Sequence, residues 1–237
     1  MPISVKDALH NQLEVVYNEQ GYLRLCEKCW KLMELSESNA KFQKYRSVKG
    51  ELAEIVLEYG LYEIQKVLNY PTVVLKSLCI PFRTGRNATT EMDIVFITPY
   101  KIYMAECKSY KNCPKITGKC MLGESMDVYN QQRLHTIALN QYISTCIKKC
   151  EVRPYKCILF EMSLDGVDDC REDVYKRSMP LVNPNTLFNF MKNELKANQE
   201  KGIEIIDVKN TVKILTDLDN NSKKMFEKHL TRLQRKG

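Results

Sequence analysis

Three ionisable residues stand at the ends of two apolar runs. Asp93 opens Ile94-Val95-Phe96-Ile97, and Glu106 and Lys108 close Ile102-Tyr103-Met104-Ala105. Along a strand side chains alternate, so Glu106 and Lys108 share a face while Cys107 turns to the other. Pro99-Tyr100 lies between the runs, and an antiparallel hairpin turning there carries Asp93 beside Glu106. Two carboxylates, flanked by the backbone carbonyl of Cys107, are the hard oxygen donors that Mg²⁺ takes, its other positions going to water and phosphate. An ammonium at Lys108 orients the attacking water or helps deprotonate it, and it offsets charge on a phosphorane. The chemistry so assembled is phosphodiester hydrolysis. A bare E-x-K is far more often an exposed strand pair. Here both runs are apolar on both faces, which marks buried strands, and ionisable groups at the ends of buried strands are candidate functional groups.

Other elements must hold that hairpin. Gly50 to Leu57 opens a helix whose apolar positions continue through Leu61, Ile64 and Leu68 until Pro71. Thr72 to Ile80 is rich in β-branched residues and reads as a strand before Asp93 to Thr98 and Lys101 to Lys108. Residues 128 to 149 read as a long helix, Tyr155 to Glu161 as a strand, and Asn185 to Leu195 as a helix capped by Asn183 or Asn185. The order is α-β-β-β-α-β-α, an α/β protein. Before it, residues 5 to 45 carry apolar positions at helical spacing, Leu9, Leu13, Val16, then Leu23, Cys26, Trp30 and Met33, with Glu19-Gln20-Gly21 as the break of a helical hairpin. After it, Ile203 to Val208 reads as a short strand and Asn220 onward as a basic terminal helix, with six Lys or Arg against two acidic residues from Asp219 to Gly237.

The hairpin resembles the PD-(D/E)xK nuclease superfamily and, within it, the nuclease-related domain (NERD) family. Lys49-Gly50-Glu51-Leu52-Ala53-Glu54 is similar to that family's K-G-x-x-G-E helix start. Met92-Asp93 and Thr98-Pro99-Tyr100-Lys101 resemble its I-D-x-x-x-x-T-P-x-G hairpin, and Glu106-Cys107-Lys108-Ser109-Tyr110-Lys111, with Ile116 and Gly118, its E-x-K-N-Y-x-G and I-x-G segments. Asp127 to His135 resembles its N-P-x-x-Q-x-x-x-H helix, with Gln131 at the Gln position. Ala53, Tyr100-Lys101 and Val128 depart from the pattern without removing a candidate catalytic group. The resemblance implies a restriction-endonuclease-like core, α-β-β-β-α-β, over about residues 47–200. A helical extension (1–46) precedes it, and a strand and basic helix (201–237) follow. It also implies a Mg²⁺- or Mn²⁺-dependent nuclease acting on nucleic acid, with DNA favoured. Asp93, Glu106 and the Cys107 carbonyl would bind the metal, Glu54 rather than Glu51 would support it, Lys108 would activate water, and Gln131 would face the metal-binding edge with His135 one turn on. The rival is a non-catalytic nucleic-acid-binding or scaffolding module with the same fold.

Composition is consistent with this and excludes little else. Hydrophobic residues make up 44% and charged residues 27%, globular values that exclude collagen-like and low-complexity chains. The net charge of +7 permits a polyanionic partner without demanding one. No apolar run approaches the roughly 20 residues of a membrane span, and the N-terminus carries no secretory signal pattern. A cytoplasmic setting follows as the expectation, with the ten cysteines reduced. Cys26-Glu27-Lys28-Cys29 has zinc-ligand spacing, and Cys113, Cys120, Cys146 or Cys150 would have to complete the set; the two thiols fall on a buried stripe and read better as core. The helical extension leaves room for a homodimer or a protein partner.

Overall fold

In the computed structural model, residues 19–38, 46–81, 89–108, 115–116, 127–162 and 168–234 are described. Helix α1 (Glu19–Ser38) leads into α2 (Arg46–Lys66), followed by β1 (Val73–Pro81), β2 (Thr89–Ile97), β3 (Ile102–Lys108) and the short β4 (Lys115–Ile116). Then come α3 (Val128–Ile143), a 3-10 turn (Ser144–Cys146), β5 (Tyr155–Glu161), β6 (Asp168–Asp169), α4 (Asp173–Ser178), β7 (Leu181–Val182), α5 (Leu187–Glu200) and α6 (Val208–Gln234). The chain is α/β, and the expected core order is present as α2-β1-β2-β3-α3-β5. Five strands form a mixed sheet in the order β1-β2-β3-β5-β7, antiparallel up to β3 and parallel beyond it. β4 pairs with β6 in a separate two-stranded piece.

Helices cover both faces of the sheet, as a central run of apolar strands requires. On one face Ile94, Phe96, Tyr103, Ala105 and Cys107 pack with α1, α2 and α5. On the other Val95, Ile97, Ile102 and Met104 pack with Ala138, Leu139 and Ile143 of α3 and Leu215 of α6. Cys26 and Cys29 are fully buried in the first of these clusters beside Tyr22 and Leu25, as core thiols. Burial pushes both thiols up to about 12, which keeps them protonated.

Several boundaries differ from the sequence reading. Glu19-Gln20-Gly21, expected as a break, forms the first turn of α1. The first half of the expected hairpin, residues 5–18, and Cys113, Gly118 and Cys120 lie outside the described residues, as does the side chain of Trp30. The long helix expected to Lys149 stops at Ile143. The chain then turns to let Ile147 bridge Ile206 and Lys148 N–H donate to Ile205 O at 2.8 Å. That single bridge stands where a strand over Ile203 to Val208 was expected. The terminal helix begins at Val208, well before Asn220, because Asp207 Oδ1 accepts the Asn210 N–H at 3.1 Å and caps it.

The last segment is tied to the hairpin. Ile205 and Ile206 N–H both donate to Pro99 O at 2.9 Å, and α6 lies along the edge strand β1, where Asp219 Oδ1 accepts the Cys79 N–H at 2.8 Å. An edge strand is thereby covered rather than left open to pairing.

Candidate active site

Register brings the two carboxylates together. Thr98 Oγ1 accepts from Lys101 N–H at 2.9 Å and donates to Lys101 O at 2.8 Å, a tight turn that sets Ile97 opposite Ile102. Counting back along β2 to Asp93 and forward along β3 to Glu106 covers the same number of residues, so both reach the same end. The ladder stops one pair short of them, at Ile94 opposite Ala105. In place of a ladder bond, Asp93 Oδ2 accepts the Cys107 N–H at 2.7 Å.

A local irregularity gives Asp93 this freedom. Pairing of β1 with β2 skips Ser77, which has φ 49°, between Lys76 opposite Ile94 and Leu78 opposite Met92. Side-chain alternation slips there on both strands. Val74 faces the α2 side but Leu78 and Ile80 the α3 side, and Ile94 faces the α2 side but Met92 the α3 side. A left-handed non-glycine residue stores strain and re-aims its neighbours. At this point the side chain re-aimed is Asp93.

Glu106 is buried and, among the described residues, receives three donors. Lys108 Nζ reaches its Oε1 at 2.5 Å, Gln131 Nε2 the same oxygen at 2.8 Å, and Gln132 Nε2 its Oε2 at 3.2 Å. Asp127 starts α3 by accepting the Asn130 N–H, which aims the next turn at the sheet. His135, one turn on from Gln131, is buried, and among the described residues its Nδ1 has no hydrogen-bond partner. Burial lowers its pKa, against a smaller upward pull from Glu106, and favours the neutral ring.

From the other face, Glu54 on α2 is half-buried and held by Lys76 Nζ at 3.7 Å and Ser77 Oγ at 3.5 Å. Lys76 also pairs with Glu58 at 3.6 Å. Burial raises the pKa of Glu54, and Lys76 opposes that rise. The charge of Glu54 acts on Asp93 and Cys107, and that of Glu51 acts on Glu54. Asp93 is pushed up to about 7, first by burial and then by the charge of Glu106.

The parallel ladder turns the backbone of Lys108 toward β5, where its carbonyl accepts the Met162 N–H at 3.1 Å, so the backbone of Cys107 faces β2 and the Asp93 gap. Among the described residues no three His, Cys, Asp or Glu side chains form a complete metal cage. The donors on this edge, the Asp93 carboxylate, the Glu106 carboxylate already paired with Lys108, and the main-chain carbonyl of Cys107, fit a cation such as Mg²⁺ that keeps several water ligands. Glu54, Asp93, Glu106, Lys108 and Gln131 all gather at this end of the sheet. Ser77, Lys76 and Gln132 join them without having been singled out in the sequence. Gln132 follows Gln131 on an apolar stripe, and nothing in sequence marks it.

The family model for the nuclease-related domain matches residues 49–159. That segment is similar to the nuclease-related domain (NERD) family. The matched segment holds every residue of the site, from Glu54 to His135. No curated protein matches the chain. Among solved structures, protein VC1899 from Vibrio cholerae aligns at 13% identity and TM-score 0.42, covering 68% of this chain and 36% of that one. Can2 from Sulfobacillus thermosulfidooxidans, in complex with cyclic tetra-adenylate, aligns at 15% identity and TM-score 0.35, covering 65% and 38%. This chain therefore spans little more than a third of either. Among the described residues no helix is long and apolar enough to cross a membrane.

Proposed function

We propose that this chain is a divalent-metal-dependent nuclease of the PD-(D/E)xK type that hydrolyses phosphodiester bonds, with DNA as the favoured substrate. The observation that carries the reading is the meeting of Asp93, Glu106 and Lys108 where the β2–β3 ladder ends, with Asp93 Oδ2 on the Cys107 N–H at 2.7 Å and Lys108 on Glu106 at 2.5 Å. Asp93, Glu106 and the Cys107 carbonyl would hold Mg²⁺ or Mn²⁺. When bound, such a cation polarises a phosphoryl oxygen and acidifies water. Lys108 orients the attacking water and offsets phosphorane charge as the water oxygen bonds to phosphorus and the bond to the leaving sugar oxygen breaks; the proton that the water gives up goes to solvent, and solvent protonates the sugar oxygen. Gln131 fixes the Glu106 carboxylate, and Glu54, held by Lys76 and Ser77, adds negative charge beside Asp93 and positions water. Neutral His135 lies behind Glu106 and does not compete with Lys108 as a cation.

Incubation with supercoiled, linear and single-stranded DNA, with and without Mg²⁺, tests the reading. Cleavage that depends on the cation and stops in chelator is expected. DNA binding without cleavage in any divalent cation would establish the scaffolding alternative instead.

A further inference from the structure

Gln132 is almost fully buried, at 2% exposure, on a face of α3 whose other buried residues are Val128, Ala138, Leu139 and Ile143, all apolar, and His135. A leucine or methionine would suit that stripe, and a buried amide must recover the hydration it loses. Only half of it does so. Nε2 donates to Glu106 Oε2 at 3.2 Å, whereas among the described residues Oε1 has no hydrogen-bond partner. The amide orientation is forced, because a carboxylate oxygen accepts only from the NH₂ side.

The donors around Glu106 are distributed unequally. An ionised carboxylate has about four acceptor positions, two on each oxygen. Lys108 and Gln131 both point to Oε1 and fill it; among the described residues Gln132 alone points to Oε2 and leaves one position open. Successive helix residues project about 100° apart, yet Gln131 and Gln132 reach the two oxygens of one carboxylate and so fix both its position and its plane.

We infer that Gln132 is a positioning residue that holds Glu106 as a one-oxygen ligand, offering the remaining acceptor position of Oε2 to a divalent cation. The inference rests on the two-carboxylate reading above. It gives a reason for keeping a half-satisfied amide in an apolar stripe, since removing a residue that orients a ligand costs metal affinity by roughly ten- to a hundred-fold.

The test uses the full chain, Mn²⁺ alone as probe, and Gln132→Met, which preserves length and volume while removing the donor. Calorimetric Mn²⁺ titration should show at least about ten-fold weaker binding in the variant. In a cleavage assay at fixed Mn²⁺ kcat should fall, with DNA affinity measured in chelator unchanged within about two-fold, because no phosphate-binding cation has been removed. Gln132→Asn, whose amide is too short to reach Oε2, should show the same loss if Gln132→Met does not fold. A merely structural glutamine would shift the melting temperature in chelator while leaving Mn²⁺ affinity intact, and that result would overturn the inference. Failure of the wild-type chain to bind Mn²⁺ would instead remove the two-carboxylate site and this inference with it.

Discussion

Replacing Asp93 by asparagine should stabilise the metal-free protein, and more so in alkali than in acid. Burial and the neighbouring Glu106 charge raise Asp93 from 3.8 to about 7, and the Cys107 N–H and Lys108 offset only part of that rise. In the unfolded chain the same carboxyl titrates near 3.9. Between these values the folded chain holds a proton that the unfolded chain has released, so unfolding free energy falls as pH rises. The contribution of protonated Asp93 is therefore fully present below about pH 4 and lost above about pH 7. At about 1.4 kcal/mol per pH unit, ionising Asp93 costs at most roughly 4 kcal/mol at pH 8 and under about 2 kcal/mol at pH 5. Asparagine stays neutral, and its Oδ1 still accepts the Cys107 N–H. With roughly 2–4 °C per kcal/mol for a chain of this size, Asp93→Asn should melt several degrees above wild type at pH 8 in EDTA, with a gain at most half as large at pH 5. Thermal melts at the two pH values decide it. An equal gain at both, or a lower melting temperature at pH 8, would show that Asp93 is a structural acceptor and that no charge strain is stored there.

Glu106→Gln should go the opposite way and lower metal-free stability by about 1–3 kcal/mol, because Lys108, Gln131 and Gln132 all donate to this side chain and an amide NH₂ would meet one of them; chemical denaturation in EDTA reads this directly. Ser77→Gly should be neutral or stabilise by up to about 1 kcal/mol, while Ser77→Val, β-branched at a left-handed φ, should destabilise and reduce cleavage by displacing Asp93; melts and a cleavage assay of both variants check the pair. Asp219→Ala should cost about 1–3 kcal/mol by leaving the Cys79 N–H without its acceptor, seen as a lower denaturation midpoint with Mn²⁺ affinity unchanged.

The hairpin was legible because one tight turn and two apolar runs determine its register: once Thr98-Pro99-Tyr100-Lys101 turns, Asp93 and Glu106 must meet. Gln131 was legible through its motif. The slip at Ser77 was not, since a positive φ in a serine depends on tertiary packing rather than on local composition. Lys76 was hidden for a similar reason: its partners Glu54 and Glu58 are on a helix whose placement over β1 no local pattern states. Gln132 was obscured because it stands on a stripe that reads as core, and only the closeness of α3 to Glu106 reveals its use. The stop of α3 at Ile143 goes with the Ile147–Ile206 bridge, a contact far apart in sequence, whereas the early start of α6 rests on the local Asp207 cap, which the basic run further on overshadowed.

The central claim is that Asp93 and Glu106 together hold one divalent cation. Calorimetric titration of Mn²⁺ into the wild-type chain, Asp93→Ala, Glu106→Ala and the double variant tests it most directly, with circular dichroism confirming that each is folded. One ion per chain in the wild type, much weaker binding in either single variant and none in the double variant is the expected result. Wild-type binding that persists unchanged in the double variant would place the cation elsewhere and contradict the account.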